Sequence, residues 1–310
     1  MKNTLLYIFT VLIWGSTWFA IEFQLGVVEV EVSVAYRFGL AAIIMWLYCL
    51  WAKVPMSFSI NEHWYIAALA LFNFSGNYFV IYWSQKYLTS AMTSIVFSSM
   101  LLMNIVNTRI FFGTKIHPRV YLGALVGILG IVVLFWNDVS NVEINTDSTL
   151  GLILVLTSAL LASLGNMVSV RNSNHGMNLF AANAWGMLYG ALFLVLIALV
   201  IGSEFILPLT LPYLSSLLFL SVFGTVIAFA TFFMLLRDIG PEKASYVIVL
   251  FPAVAVTLSS LFEGFAWSSN IVLGFLLVLL GNAIVLTPIN KIHNLIRALF
   301  KRKKISTNLR

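Results

Sequence analysis

Apolar runs of roughly 20 residues recur along the whole chain, separated by short polar or proline-containing stretches. That length suits a membrane-crossing helix rather than a barrel strand. Ten such spans are predicted: Thr4–Ile21, Val34–Trp51, Trp64–Trp83, Thr89–Ile110, Arg119–Trp136, Leu150–Val170, Leu179–Ile201, Leu211–Leu236, Ala244–Phe262 and Asn270–Leu286. Six of the seven prolines fall in connections or at span ends, where helices break. Pro252 alone sits inside a span, the ninth, and is the candidate hinge.

The pattern also repeats. Over a long apolar stretch each residue aligns with one 151 positions later, so that Lys86 falls on Arg237, Ser94 on Ser245, Phe111 on Phe262, Gly113 on Gly264, Gly123 on Gly274 and Gly130 on Gly281. A period this long excludes a solenoid and marks a membrane transporter built from two copies of one bundle, with its substrate site where they meet. The copies are residues 1–136 and 150–287, joined by the polar linker 137–149 and followed by a basic tail, 288–310. Five spans per copy is an odd number, so the second copy enters the bilayer from the opposite side. An inverted pair supports alternating access, because each half can adopt the conformation the other has just left.

Composition agrees with the pattern. Hydrophobic residues make up 61% of the chain and charged residues 9%, with mean hydropathy +1.00, so no water-soluble surface can be assembled from the remainder. The fold class expected is an all-α polytopic membrane protein. With the N-terminus in the cytoplasm, all but two of the 17 Lys and Arg residues, Lys86 and Arg37, lie in inner connections or termini, which orients both termini inward. The net charge of +6 resides in the tail after Thr287 and reads as a membrane flank, with no nucleic acid partner. The first run is of spanning length without a small-residue cleavage site after it, so it is expected to remain as an anchor. Cys49 is the single cysteine, and the four histidines lack ligand spacing. Neither a metal nor a cofactor is expected, and no phosphate loop of the GxxxxGK[ST] form occurs.

Residues that break the apolar pattern are the candidates for chemistry. Arg37, within the second span, needs a partner, since a lone charge there costs several kcal/mol. Glu22, at the end of the first span, is the nearest acid by topology. The two form either a structural pair or a gate and charge anchor. Asn73 and Asn77 share one helical stripe with Tyr78 and Tyr82 nearby, fit either for interhelical bonding or for lining a cavity. Trp14 and Trp18, four apart near mid-depth, are packing or cavity wall, whereas Trp51, Trp64, Trp83 and Trp136 form the interfacial belt. Asn104, Asn166, Asn183 and Tyr246 are weaker candidates for the same cavity. Gly123, Gly127, Gly130, Gly274 and Gly281 permit close helix approach, within one monomer or across a homodimer face.

At these residues the chain resembles the EamA-type ten-helix branch of the drug/metabolite transporter superfamily. Trp14-Gly15-Ser16 is similar to that family's opening, and Arg37-Phe38 to its Arg-Phe pair. Gly224-Thr225, Arg237, Gly240-Pro241, Ala244, Pro252, Glu263 and Gly274 resemble its signature in helices eight to ten. Two positions depart from it: Phe112 stands where the first copy carries Glu, and Glu22 where a Lys is common. The resemblance implies a secondary transporter of a small polar metabolite, such as an amino acid, working in export across a bacterial inner membrane. Its cavity is implied to lie among helices one to four and six to nine, with five and ten as scaffold. Alternatives are an importer or exchanger of nucleotide- or cofactor-like solutes, or an integral-membrane lipid-modifying enzyme.

Overall fold

The computed structural model describes residues 2–136, 146–239 and 244–287, without the side chains of Thr146, Phe233, Leu236, Arg237 and Tyr246. The residues 137–145 of the expected linker, the motif positions Gly240 and Pro241, and the tail 288–310 lie outside the described residues. Among the described residues every regular element is helical. The helices are α1 (Lys2–Glu22), α2 (Val30–Trp51), α3 (Ile60–Ser84), α4 (Ser90–Phe112), α5 (Pro118–Leu134), α6 (Thr146–Asn174), α7 (Leu179–Ile201), α8 (211–239), α9 (Tyr246–Phe262) and α10 (Ser269–Leu286). Eight are long and apolar enough to cross a membrane, and α5 and α9 are shorter apolar helices. The molecule is a multi-pass membrane protein.

Helix ends follow local chemistry. The third helix begins at Ile60, four residues before the expected Trp64, because Ser59 and Glu62 form a capping box: the Ser59 backbone N donates to Glu62 Oε2 at 2.6 Å and the Glu62 N to Ser59 Oγ at 3.4 Å. Gly113 ends α4 with φ 70° and Gly264 follows α9 with φ 66°, left-handed positions that glycine occupies without strain. The sixth helix starts at Thr146, inside the stretch read as linker.

Three helices are interrupted. In α3 the segment Ala70–Gly76 is π-helical, and in α8 so is Phe219–Ile227. Ser75 Oγ donates to the Ala70 carbonyl at 3.0 Å and Thr225 Oγ1 to the Leu220 carbonyl at 2.8 Å, each reaching five residues back into the widened turn. The fourth helix breaks at Ser98 and Ser99, where Ser98 Oγ donates to the Ile95 carbonyl at 2.6 Å and accepts from Asn282 Nδ2 at 2.9 Å.

Packing joins the two ends of the chain throughout. The first helix lies against α8 and α9, α6 against α3 and α4, α2 against α7, and α5 against α10. Phe38 of α2 and Phe74 of α3 are fully buried, and Gly186 and Gly190 clear the surface of α7 for Phe74: a Cβ on either would stand under 3.0 Å from that ring or its Cβ. The glycines of α5 and α10 meet backbone to backbone. A Cβ on Gly123 would lie 2.6 Å from the Gly281 carbonyl oxygen, and one on Gly274 would lie 2.7 Å from that of Gly130. These glycines therefore serve packing within one chain. Opposite faces present Leu196, Leu199 and Val200 of α7 and Leu47 and Leu50 of α2, an exterior suited to lipid rather than water.

Candidate functional site

A cavity of about 390 Å³ opens between α1, α2, α3, α4, α6, α7, α8 and α9, and neither α5 nor α10 reaches it. Volumes of about 300–1,000 Å³ hold small molecules. Its wall includes Trp14, Trp18, Asn73, Asn77, Tyr78, Asn166 and Arg37, all singled out from sequence, together with Asn104 and Asn183.

Local packing puts each of them there. Gly15 brings α1 against α9, since a Cβ on it would lie 2.4 Å from Val254 Cβ and 2.9 Å from the Phe251 carbonyl. This close approach turns Trp14 toward Phe229 and Phe232 (centroids 5.8 and 4.9 Å) and Trp18 toward Phe97 and Phe251 (5.1 and 5.6 Å). The tryptophans thus complete an aromatic wall drawn from α1, α4, α8 and α9. Asn77 is fixed by Ser158, whose Oγ donates to Asn77 Oδ1 at 2.6 Å, and Asn166 Nδ2 donates to Asn104 Oδ1 at 3.2 Å. Asn183, 3% exposed, keeps a buried Nδ2 without an acceptor.

Arg37 is 1% exposed. Its Nε donates to Thr225 Oγ1 and its Nη1 to Tyr82 Oη, both at 3.3 Å, and its guanidinium stands 4.5 Å from the centroid of the Tyr78 ring. Gly224 makes room: a Cβ there would meet Thr17 Cγ2 at 2.7 Å and approach Arg37 Nη2 at 3.7 Å. Among the described residues no carboxylate lies within 4.0 Å of Arg37, the one ion pair being Lys2 with Asp238. Two hydroxyls and an aromatic face support the cation without neutralising it.

Tyr82 stands behind Arg37 rather than in the cavity wall, with its Oη donating to Gln24 Oε1 at 3.0 Å. Glu22 also lies off the cavity. Its Oε1 accepts from Gln85 Nε2 at 2.8 Å, so the acid nearest Arg37 by topology is turned instead to the end of α3. Pro252 is buried in α9, one residue from the cavity-lining Phe251, and denies the Ile248 carbonyl its helical donor. Tyr246 opens α9, and Arg237 is near the end of α8.

The cavity has unequal ends. Its lining extends along α4 as far as Thr108 and along α6 as far as Val170, toward the ends of those helices, and on α9 it starts at Ser245. Beyond Ile21 and Ile81, at the other end, polar bonds tie the elements together. Glu263 accepts from Ser90 Oγ in a short bond, from the Ser90 backbone N at 3.3 Å and from Ser259 Oγ at 2.8 Å, and so joins α9 to the first turn of α4. A carboxylate there also meets the positive end of the helix. Gln85 joins α3 to α1 through Glu22 and the Trp18 carbonyl, 3.0 Å away. Sequence reasoning passed over Gln85, Ser90, Ser158 and Gln24. Their one signal was polarity at or inside span ends, which they share with ordinary caps.

Known proteins resemble the chain over most of its length. YedA of Escherichia coli strain K12, named an uncharacterized inner membrane transporter, is 27% identical over 80% of this chain and 79% of its own. YoaV of Bacillus subtilis strain 168, an uncharacterized transporter, is 23% identical over 87% and 91%. An uncharacterized transporter from the trpA 3′ region of Buchnera aphidicola subsp. Schlechtendalia chinensis is 22% identical over 86% of each chain. A solved protein crystal structure superposes with TM-score 0.67 at 18% identity, covering 91% of this chain and 96% of that one, which shows a shared helical fold. The EamA-like transporter family matches residues 1–136 and 149–287. Matched along nearly all of its apolar helices, the chain belongs to the EamA-like transporter family.

Proposed function

We propose that the protein is a secondary carrier that moves a small polar metabolite, an amino acid or a related compound, across a bacterial inner membrane by alternating access, with export as its working direction. The observation that carries this reading is the cavity in which a buried, un-neutralised guanidinium faces side-chain amides and an aromatic wall. The Arg37 guanidinium offers donors to a carboxylate, and the free Nδ2 of Asn183, whose neighbour Ala184 meets Trp46 further along α2, offers a separate donor to the solute. The amide oxygens of Asn73 and Asn77 offer acceptors to an ammonium, and Trp14, Trp18 and Phe251 offer faces to a side chain.

Two antiparallel five-helix halves, residues 1–136 and 150–287, would rock about this site, with both termini in the cytoplasm. The packing supports such a pairing. Shifting by 151 residues exchanges Gly123 with Gly274 and Gly130 with Gly281, so the contact of Gly123 with Gly281 maps onto that of Gly274 with Gly130, as residues related by a two-fold axis must. The same shift carries the π segment 70–76 onto 221–227, inside the π segment of α8. In this reading the polar bonds of Glu22 and Glu263 close the outer end, the cavity extends toward the cytoplasm, and α9 bends at Pro252.

The test is a metabolite screen on the purified protein by thermal stabilisation, followed by counterflow in reconstituted vesicles. A stabilising compound should exchange across the vesicle membrane, and Arg37→Met and Trp18→Ala should weaken its half-saturation. Net conversion of a compound without its movement would replace this reading with an enzyme.

A further inference from the structure

The side-chain amide of Gln85 is committed on one side only. Its Nε2 donates twice, to Glu22 Oε1 at 2.8 Å and to the Trp18 carbonyl at 3.0 Å, which fixes which end of the amide is nitrogen. Its Oε1 is buried and receives no donor, although Gln85 is only 5% exposed. A buried acceptor left this way forfeits its hydration without replacement. A protonated carboxylic acid supplies what is missing, because acid and primary amide complement each other at two points: amide N–H to acid carbonyl, and acid O–H to amide oxygen. An ionised Glu22 has no hydrogen to offer.

Charges around the pair agree. Glu263, at the end of α9, lies within electrostatic reach of Glu22. It already accepts from Ser90 N, Ser90 Oγ and Ser259 Oγ, three donors directed at its carboxylate oxygens. Among the described residues no Lys, Arg or His nitrogen comes within 4.0 Å of either acid. On the packed elements, the Lys86 ammonium of the α3–α4 connection sits 3.9 Å from the Trp83 ring centroid, and Arg37 of α2 is held by Thr225 and Tyr82. Glu31 of α2 accepts from Ser203, beside Glu204, and Glu29 precedes the same helix; Tyr36, Tyr213 (bonded to Ser33), Tyr87 and Asp147 are further ionisable groups on the elements at this end. A proton on Glu22 leaves one negative charge where there would be two.

We infer that Glu22 is a proton-binding site whose acid form is held by the Gln85 amide, and that its loading and release couple transport to the proton gradient. This rests on the carrier reading above. Glu22 follows Ile21, which lines the cavity, and Trp18 supplies both a cavity wall and the carbonyl that Gln85 holds. Parting α1 from α3 at this end opens the acid–amide pair and lets Glu22 take up a proton from the outer side, and release of that proton toward the cytoplasm is what the exported solute exchanges for. Closing the end again restores the pocket for a proton.

Two measurements on the full-length protein test this. The first needs no substrate: infrared difference spectra over a pH titration in detergent should contain a protonated-carboxyl band that shifts in D₂O, disappears in Glu22→Gln and moves in Gln85→Leu. A band that survives unchanged in Glu22→Gln overturns the site. The second uses vesicles and a solute identified by the metabolite screen. Glu22→Gln should lose the acceleration by an imposed pH gradient while solute exchange persists, and equal acceleration in the variant and the wild type overturns the coupling. If no solute exchanges in the wild type although the infrared band behaves as expected, the carrier reading fails and the proton site stands.

Discussion

Replacing Gly274 with alanine places a methyl carbon 2.6 Å from the Leu134 backbone nitrogen, 2.7 Å from the Gly130 carbonyl oxygen and 2.8 Å from the Leu134 Cα. Nonbonded carbon contacts rest near ~3.5–4.0 Å, so α5 and α10 must part by about 1 Å. All three obstacles are backbone, and no rotamer change relieves them. The separation also loosens the reciprocal contact between Gly123 and Gly281, so the cost extends along the whole crossing. Overpacking of this kind costs about 1–3 kcal/mol, which for a chain of this size corresponds to a fall in Tm of roughly 2–10 °C. Thermal unfolding in one fixed detergent, followed by tryptophan fluorescence, reads it. Gly39→Ala is the control: a Cβ there meets nothing within 4 Å, and alanine's helix propensity makes the change neutral or stabilising by up to about 1 kcal/mol. Because neither helix lines the cavity, the surviving Gly274→Ala protein should keep its half-saturation for solute. The pair Gly130→Ala with Gly274→Ala should cost less than the sum of the two, since the first methyl already parts the helices. A Gly274→Ala protein that melts with the Gly39→Ala control refutes the close crossing. One that melts early and also binds solute more weakly refutes the division between scaffold and site.

Arg37→Met should weaken solute binding by about 1.5–3 kcal/mol, the range for a charged hydrogen bond, and Arg37→Lys should not restore it, because an ammonium cannot span Thr225 and Tyr82 as the guanidinium fork does; equilibrium binding to the purified variants measures both, and full rescue by lysine refutes the fork. Asn77→Leu removes the side-chain acceptor of the Ser158 hydroxyl, leaving it the Asn77 carbonyl at 3.1 Å, together with a cavity amide, so both Tm and solute affinity should fall, while Ser158→Ala should lower Tm by the equivalent of about 0.5–1.5 kcal/mol with a smaller effect on affinity. Glu263→Gln weakens the tie between α9 and α4, so an Ile21→Cys reporter should react faster with an impermeant maleimide added outside cells than it does with Glu263 present. Native Cys49 is buried and stays silent in that assay, and an unchanged rate removes Glu263 from the closure.

Arg37, Asn73, Asn77, Tyr78 and Asn166 were legible in the sequence because each violates an apolar run, and a polar group in such a run must face protein or water. The structure brings all five to one cavity. Direction was harder to read. Tyr82 shares the stripe of Tyr78, yet its hydroxyl ends between Arg37 and Gln24, since burying a guanidinium recruits whatever oxygen is in reach. Glu22 and Arg37 looked like partners by topology alone, but contact depends on how helix faces turn, which neither span length nor charge placement encodes. The π segments were invisible for a related reason: Ser75 and Thr225 alter no hydropathy pattern, and their effect lies in hydroxyls that bond carbonyls five residues back. In lipid a backbone carbonyl freed by a widened turn has no water to turn to, so the hydroxyl is what lets the interruption persist. Thr225 also holds Arg37, so the hydroxyl that accommodates the irregular turn of α8 is the one that positions the buried cation. Thr225→Val keeps the side-chain shape and removes both bonds. It should therefore disturb the helix and the charge together, which two independent features would not do.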